Sequence, residues 1–137
     1  MSSRSPILGL AALAATLAVA APAQAAPFVG RVSTPKAQPR ADHGWVITVT
    51  ARTASGRNLR ATAFYQFLFD GQVVSTQYPS PGKRAGTAHR PYGFTGRYRD
   101  TLLFPARAAG IPLTLRVVIR VAGKGTVKVD RKIRVRR

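Results

Sequence analysis

Leu113, Leu115, Val117, Ile119 and Val121 share one parity of the sequence, and Val127, Val129, Ile133 and Val135 repeat the pattern after Gly123-Lys124-Gly125. A period of two sends alternate side chains to opposite faces of an extended chain, whereas a helix would scatter the same set around its circumference. The stretch therefore predicts two antiparallel strands joined by a tight loop, each with one buried face. Trp45, Ile47, Val49 and Ala51 alternate in the same way against Val46, Thr48, Thr50 and Arg52. Ala54-Ser55-Gly56-Arg57-Asn58 then breaks the pattern as a turn.

From Ala61 to Phe69 the expected inward set is Ala63, Tyr65, Phe67 and Phe69, with Phe64 and Leu68 on the opposite face. Asp70-Gly71 follows at once, and Gln72 to Tyr78 resumes extended chemistry. Asp-Gly supplies the positive φ angles of a two-residue hairpin turn, so these two runs are antiparallel neighbours. Pro79 to Pro91 holds three prolines, two glycines and the cations Lys83, Arg84 and Arg90, which reads as a long basic loop. Beyond it Phe94, Tyr98, Leu102 and Phe104 share one parity; Asp100 interrupts their apolar face and predicts a bulge near that residue. Pro105 to Pro112 reads as a crossover with one helical turn at Ala106-Arg107-Ala108-Ala109, ended by Gly110. With Phe28 to Val32 as a short edge strand, these runs predict an all-β fold, an antiparallel β-sandwich of about seven strands. An up-and-down or Greek-key barrel is the alternative.

Residues 1–25 carry Arg4, an uncharged apolar run from Pro6 to Ala21, and the small-residue end Ala23-Gln24-Ala25. The run is shorter than the roughly 20 residues that a membrane-spanning helix needs. It reads as a secretory signal peptide helix, cleaved rather than retained as an anchor, which leaves no transmembrane span in the mature chain. An N-terminal segment at 26–43 and a sandwich at 44–137 would follow. The expected address is secreted or cell-envelope associated. The chain is cysteine-free, so neither disulfides nor a lipoprotein thioether is available.

Twenty-two Lys and Arg face four Asp, a formal charge of +18 that falls to +17 when Arg4 leaves with the leader. The acids are Asp42, Asp70, Asp100 and Asp130, with no Glu, so general acid–base chemistry has few candidates. His43 and His89 do not make a metal constellation, and no nucleophile–base–orienter set can be assembled. Gly123-Lys124-Gly125-Thr126 lacks the upstream glycine and the following helix of a phosphate loop. A non-enzymatic protein without cofactor or metal is expected.

Three segments carry a resemblance: Trp45-Val46-Ile47-Thr48-Val49; Tyr65-Gln66-Phe67-Leu68-Phe69-Asp70-Gly71; and Phe104-Pro105-Ala106-Arg107-Ala108-Ala109-Gly110-Ile111-Pro112-Leu113-Thr114. Over roughly residues 44 to 135 the chain resembles small exported bacterial immunoglobulin-like (fibronectin type III-like) domains. The resemblance implies an Ig-like sandwich serving as a binding or structural module, with no catalytic residues to carry over.

If Gly123-Lys124-Gly125 is a three-residue loop closed by Ala122 and Thr126, Val121 faces Val127. The same register sets Arg120 opposite Lys128, Arg116 opposite Lys132, Thr114 opposite Arg134 and Asp130 opposite Val118. Like charges directly across a strand pair repel, and an anionic partner could bridge them. The expected polyanion-binding set is therefore Arg116, Arg120, Lys128, Lys132 and Arg134, with Lys83, Arg84 and Arg90 of the long loop. The solvated alternative is that screened arginines on an open face reflect composition alone. Phe64 and Leu68 form a candidate interaction strip unless the N-terminal segment, through Phe28 and Val29, covers them. Arg131, Lys132, Arg134, Arg136 and Arg137 make a basic tail that continues the last strand.

The leading expectation is an exported module that adheres to anionic envelope polymer, such as wall phosphates, or to acidic lipid headgroups. A protein-interaction module using a sheet edge or the Phe64/Leu68 strip is the alternative. Extracellular nucleic-acid binding has charge in its favour but no stacking aromatics.

Overall fold

Eight strands run through residues 27–137, the part of the chain that the computed structural model describes; the signal-peptide reading at 1–25 lies outside the described residues. They are β1 (Val29–Ser33), β2 (Trp45–Arg52), β3 (Arg60–Phe69), β4 (Gln72–Gln77), β5 (Tyr92–Thr95), β6 (Arg97–Leu102), β7 (Pro112–Val121) and β8 (Gly125–Arg134). Every ladder between them is antiparallel. One sheet has three strands in the order β1-β2-β6, and the other has five in the order β4-β3-β7-β8, with β5 beside β3. The chain is an all-β sandwich.

The two inner faces meet in a single apolar cluster. Ile47, Val49 and Ala51 come from one sheet, and Tyr65, Leu115, Val117 and Ile119 from the other, none of them more than 1% exposed. Phe104 stacks edge-on against both Trp45 and Phe67, with ring centroids 6.2 and 5.6 Å apart. Trp45 also donates from Nε1 to the Ala37 carbonyl at 3.0 Å, which holds the segment between β1 and β2 against the sandwich. That bond satisfies the indole while its ring supplies core area.

The single run expected from Phe94 to Phe104 is two strands, and the break lies at Gly96 rather than at Asp100. β5 pairs with β3 in the five-stranded sheet, while β6 pairs with β2 in the three-stranded one. Gly96 makes this corner with φ 74°, a left-handed conformation that a side chain disfavours. Its N–H donates to Leu59 O and its carbonyl accepts from Ala51 N, both at 2.9 Å, so the corner ties the two sheets together. Beyond it the β2–β6 register runs without a bulge, and Asp100 lies opposite Ile47, facing inward.

Asp70 and Gly71 have φ 54° and 77°, as the Asp-Gly hairpin requires, and Phe69 pairs with Gln72 across the turn. Phe69 itself is 45% exposed and not part of the inward set. A register shift between Phe67 and Leu68 leaves Val74 as an extra residue in β4.

The β7–β8 loop lies one residue earlier than expected, which shifts each cross-strand partner by two. Val121 pairs with Gly125, so the loop is Ala122-Gly123-Lys124, and Lys124 N donates to Val121 O at 3.0 Å. A shift of two residues preserves the face of every side chain but replaces every cross-strand neighbour. The crossover before β7 contains a 3-10 turn at Ala106–Ala108. After β8 the chain is pinned rather than trailing: Arg136 N donates to Pro39 O at 2.8 Å, Ala41 N donates to Arg136 O at 2.7 Å, and Val135 is 1% exposed.

Candidate functional site

Each of the four carboxylates has a structural position. Asp42 and Asp70 occupy turns with φ 59° and 54°. Asp100 is buried, and Asp130 pairs with Arg116 in the only salt bridge among the described residues. None of the other cations among the described residues has a carboxylate partner.

On the outer face of β7 and β8 the corrected register removes the expected repulsion. Arg116 lies opposite Asp130 and not Lys132; its Nε and Nη2 donate to the two carboxylate oxygens at 2.9 and 3.0 Å. These bonds hold the Asp130 carboxyl below its usual range, with the Arg116 charge adding to the effect. Arg120 lies opposite Thr126, Lys128 opposite Val118, Lys132 opposite Thr114 and Arg134 opposite Pro112. No two cations confront each other directly across this hairpin, so the inference from repulsion to a bridging anion falls. Arg120, Lys128, Lys132 and Arg134 remain exposed, as do Lys83, Arg84 and Arg90 in the long loop. Arg131 faces the other way and donates from Nη2 to the Val32 carbonyl at 2.9 Å, tying β8 to β1.

The Phe64/Leu68 strip is largely closed by its own sheet. Leu68 is 6% exposed, between Val73 of β4 and Thr114 of β7, and Val118 beside Phe64 is 5% exposed. Phe64 is half-buried, its ring 6.2 Å from that of Tyr78. Phe28 and Val29 do not supply the cover. Phe28 belongs to the inter-sheet core, and Val29 sits opposite Arg52 on the other sheet.

A second basic surface, missed in the sequence reading, covers the outer face of the three-stranded sheet. Arg31, Thr50 and Arg97 form one row across β1, β2 and β6, and Ser33, Thr48 and Arg99 form the next. Arg52 beside Val29, and Thr101 beside Val46, complete the face. Arg31, Arg52, Arg97 and Arg99 are exposed, and no carboxylate stands among them. Their shared outward parity is visible in the sequence, since Arg97 and Arg99 flank the inward Tyr98. That β1, β2 and β6 are neighbours is a long-range fact without a local signal.

Inside the sandwich lies the most polar buried group. Tyr65 Oη donates to Asp100 Oδ2 at 2.9 Å and lies 3.1 Å from Tyr98 Oη, while Ser80 N reaches the same carboxylate oxygen at 3.4 Å. Burial, then the neighbouring Tyr98 and Asp100, pushes the Tyr65 phenol far above its ordinary value; burial pushes Tyr98 up as well. Both phenols are held neutral and hydrogen-bonded, an arrangement that anchors the start of the long loop at Ser80 to β6. No protein-family model matches this chain, and no curated protein matches it in sequence.

Proposed function

We propose that this chain is an exported, non-enzymatic β-sandwich module that associates electrostatically with anionic cell-envelope material. The observation that carries this reading is the single ion pair among the described residues of a chain with twenty-two Lys and Arg and four Asp. Cations without carboxylate partners on a β-sandwich form a positive field that recruits polyanions. The immunoglobulin-like part of the reading is supported by strand order. Taking β1, β2, β3, β6, β7 and β8 as strands A, B, C, E, F and G sets A-B-E against C-F-G, and β4 extends the C edge as in variable-type domains; β5, which holds the chain position of strand D, departs from that pattern by pairing with β3 instead of joining A-B-E.

Retention on anionic wall fragments, measured by sedimentation across a salt series, tests the proposal. With about four phosphates neutralised, affinity for a flexible chain should fall about 50-fold between about 50 and 200 mM salt. Retention that does not change over that range would overturn it.

One observation favours protein interaction as a second reading. β4, Gln72-Val73-Val74-Ser75-Thr76-Gln77, is an exposed edge strand with no charge and no proline, so the usual protection against strand addition rests on one bulge. A groove of about 400 Å³ lined by Val74, Leu103, Pro105 and Ile111 adjoins it. The fitting occupant is an extended segment of a partner protein, paired along β4 with an apolar side chain in that groove. Val74→Lys should abolish a stoichiometric complex that survives high salt; a complex unaffected by this change would exclude the edge.

A further inference from the structure

We propose that the outer face of the three-stranded sheet, formed by Arg31, Arg52, Arg97 and Arg99, is a binding site for a linear phosphodiester polymer that lacks aromatic bases. The site rests on the polyanion reading and gives it a location and a ligand class. Strand spacing sets the pattern: Arg31 and Arg97 stand about 10 Å apart across Thr50, and Arg97 and Arg99 about 7 Å apart along β6. Among the described residues Arg31, Arg97 and Arg99 have no side-chain hydrogen bond or ion pair, and Arg52 uses only its Nε, on Asn58 Oδ1 at 3.2 Å. Their guanidinium forks are therefore available for bidentate contact with phosphate oxygens.

Between the arginines lie Ser33, Thr48, Thr50 and Thr101, small hydroxyls that let a chain approach the sheet and can donate to the same oxygens. A groove of about 310 Å³, lined by Val46, Lys83, Arg99 and Thr101, continues the face toward the long loop and adds a fifth cation; Asp100 also borders it, but its carboxylate is buried and occupied by Tyr65 and Ser80. The opposite face of the sandwich is less suited. There Asp130 neutralises Arg116, and the neighbouring strand β3 presents Phe64 and Leu68, opposite Val118 and Thr114 of β7.

The chemistry of the face selects among polyanions. It carries no aromatic side chain on which bases could stack, which disfavours single-stranded nucleic acid. Its apolar side chains are Val29 and Val46, 36% and 37% exposed, too small to anchor in a bilayer. A flexible polymer with regularly repeated phosphates satisfies both the spacing and the polarity.

Two charge-matched variants separate the alternatives. Arg31→Gln/Arg52→Gln/Arg97→Gln/Arg99→Gln removes this face, and Arg120→Gln/Lys128→Gln/Lys132→Gln/Arg134→Gln removes four cations from the β7–β8 face. Titration with synthetic poly(glycerol phosphate) should show the first variant binding at least about 30-fold more weakly, with a salt slope smaller by about 3. The second should stay within about threefold of wild type. Amide shifts of Thr48 and Thr50 in the wild-type protein should move on titration, a readout that does not depend on how the variants fold. Equal losses in the two variants, or unmoved Thr48 and Thr50, overturn the site while leaving polyanion binding intact. Tighter binding to a single-stranded oligonucleotide or to phosphatidylglycerol vesicles overturns the ligand class. Failure of wild type to bind any of these polyanions overturns the underlying reading as well.

Discussion

Gly96→Ala is expected to destabilise the protein by about 3 kcal/mol, a fall in Tm of roughly 10–15 °C for a domain of this size. Two costs combine at this corner. With φ 74° the residue is in the left-handed region, where a Cβ costs about 1–2 kcal/mol. The new Cβ would also overlap the Asn58 side chain, 2.6 Å from Oδ1 and 2.8 Å from its Cβ, adding about 1–2 kcal/mol of strain. Relief is limited because the backbone of Gly96 is bonded on one side to Ala51 and on the other to Leu59. Thermal melts of Gly96→Ala and of Gly96→Ala/Asn58→Gly measure both parts: the double variant should regain the steric share and keep the conformational one. A single variant that melts within about 2 °C of wild type would show that the corner does not join the sheets as described.

Asp100→Ala should cost about 3 kcal/mol for a different reason. The carboxylate is 7% exposed and accepts from Tyr65 Oη, from Ser80 N and, through Oδ1, from Thr101 N at 3.0 Å. Its removal strands buried donors where water does not easily replace the acceptor. The same cluster sets an alkaline limit. Tyr65 and Tyr98 have folded pKa values above the unfolded value of about 10, so their contribution is complete below pH about 10 and is lost as pH rises beyond it. Each phenol adds a slope of about 1.4 kcal/mol per pH unit. Alkaline unfolding followed by circular dichroism should coincide with the late part of the tyrosinate absorbance, and Tyr98→Phe should roughly halve the slope. Ionisation of both phenols near pH 10 in a still folded protein would contradict this account.

The strands themselves were legible because alternation is a local signal: Trp45 to Arg52, Ala61 to Phe69 and Leu113 to Val121 each report a buried face without knowledge of their neighbours. Asp70-Gly71 was legible for the same reason, since its φ angles belong to the turn alone. The expected bulge near Asp100 failed because a carboxylate on an inward position reads as an interruption. Inside the fold it is solvated by Tyr65 and by Ser80, which lies 20 residues away along the chain. Gly96, flanked by Thr95 and Arg97, gave no local sign that the chain changes sheets there.

The candidate site was half legible. Outward arginines on β7 and β8 could be assigned to a face, yet their partners depended on a register that alternation leaves undetermined. A slip of two residues keeps Leu115, Val117 and Ile119 inward while it moves Arg116 from Lys132 to Asp130. The grouping of Arg31, Arg52, Arg97 and Arg99 was further out of reach, because it requires β1, β2 and β6, separated by long connections, to lie side by side. Parity and turn chemistry are properties of neighbouring residues, so sequence settled the all-β class, the hairpins and the excess of positive charge. Which charges meet, where the chain crosses between sheets and which carboxylate is buried follow from contacts between distant segments, and those arise when the two sheets pack.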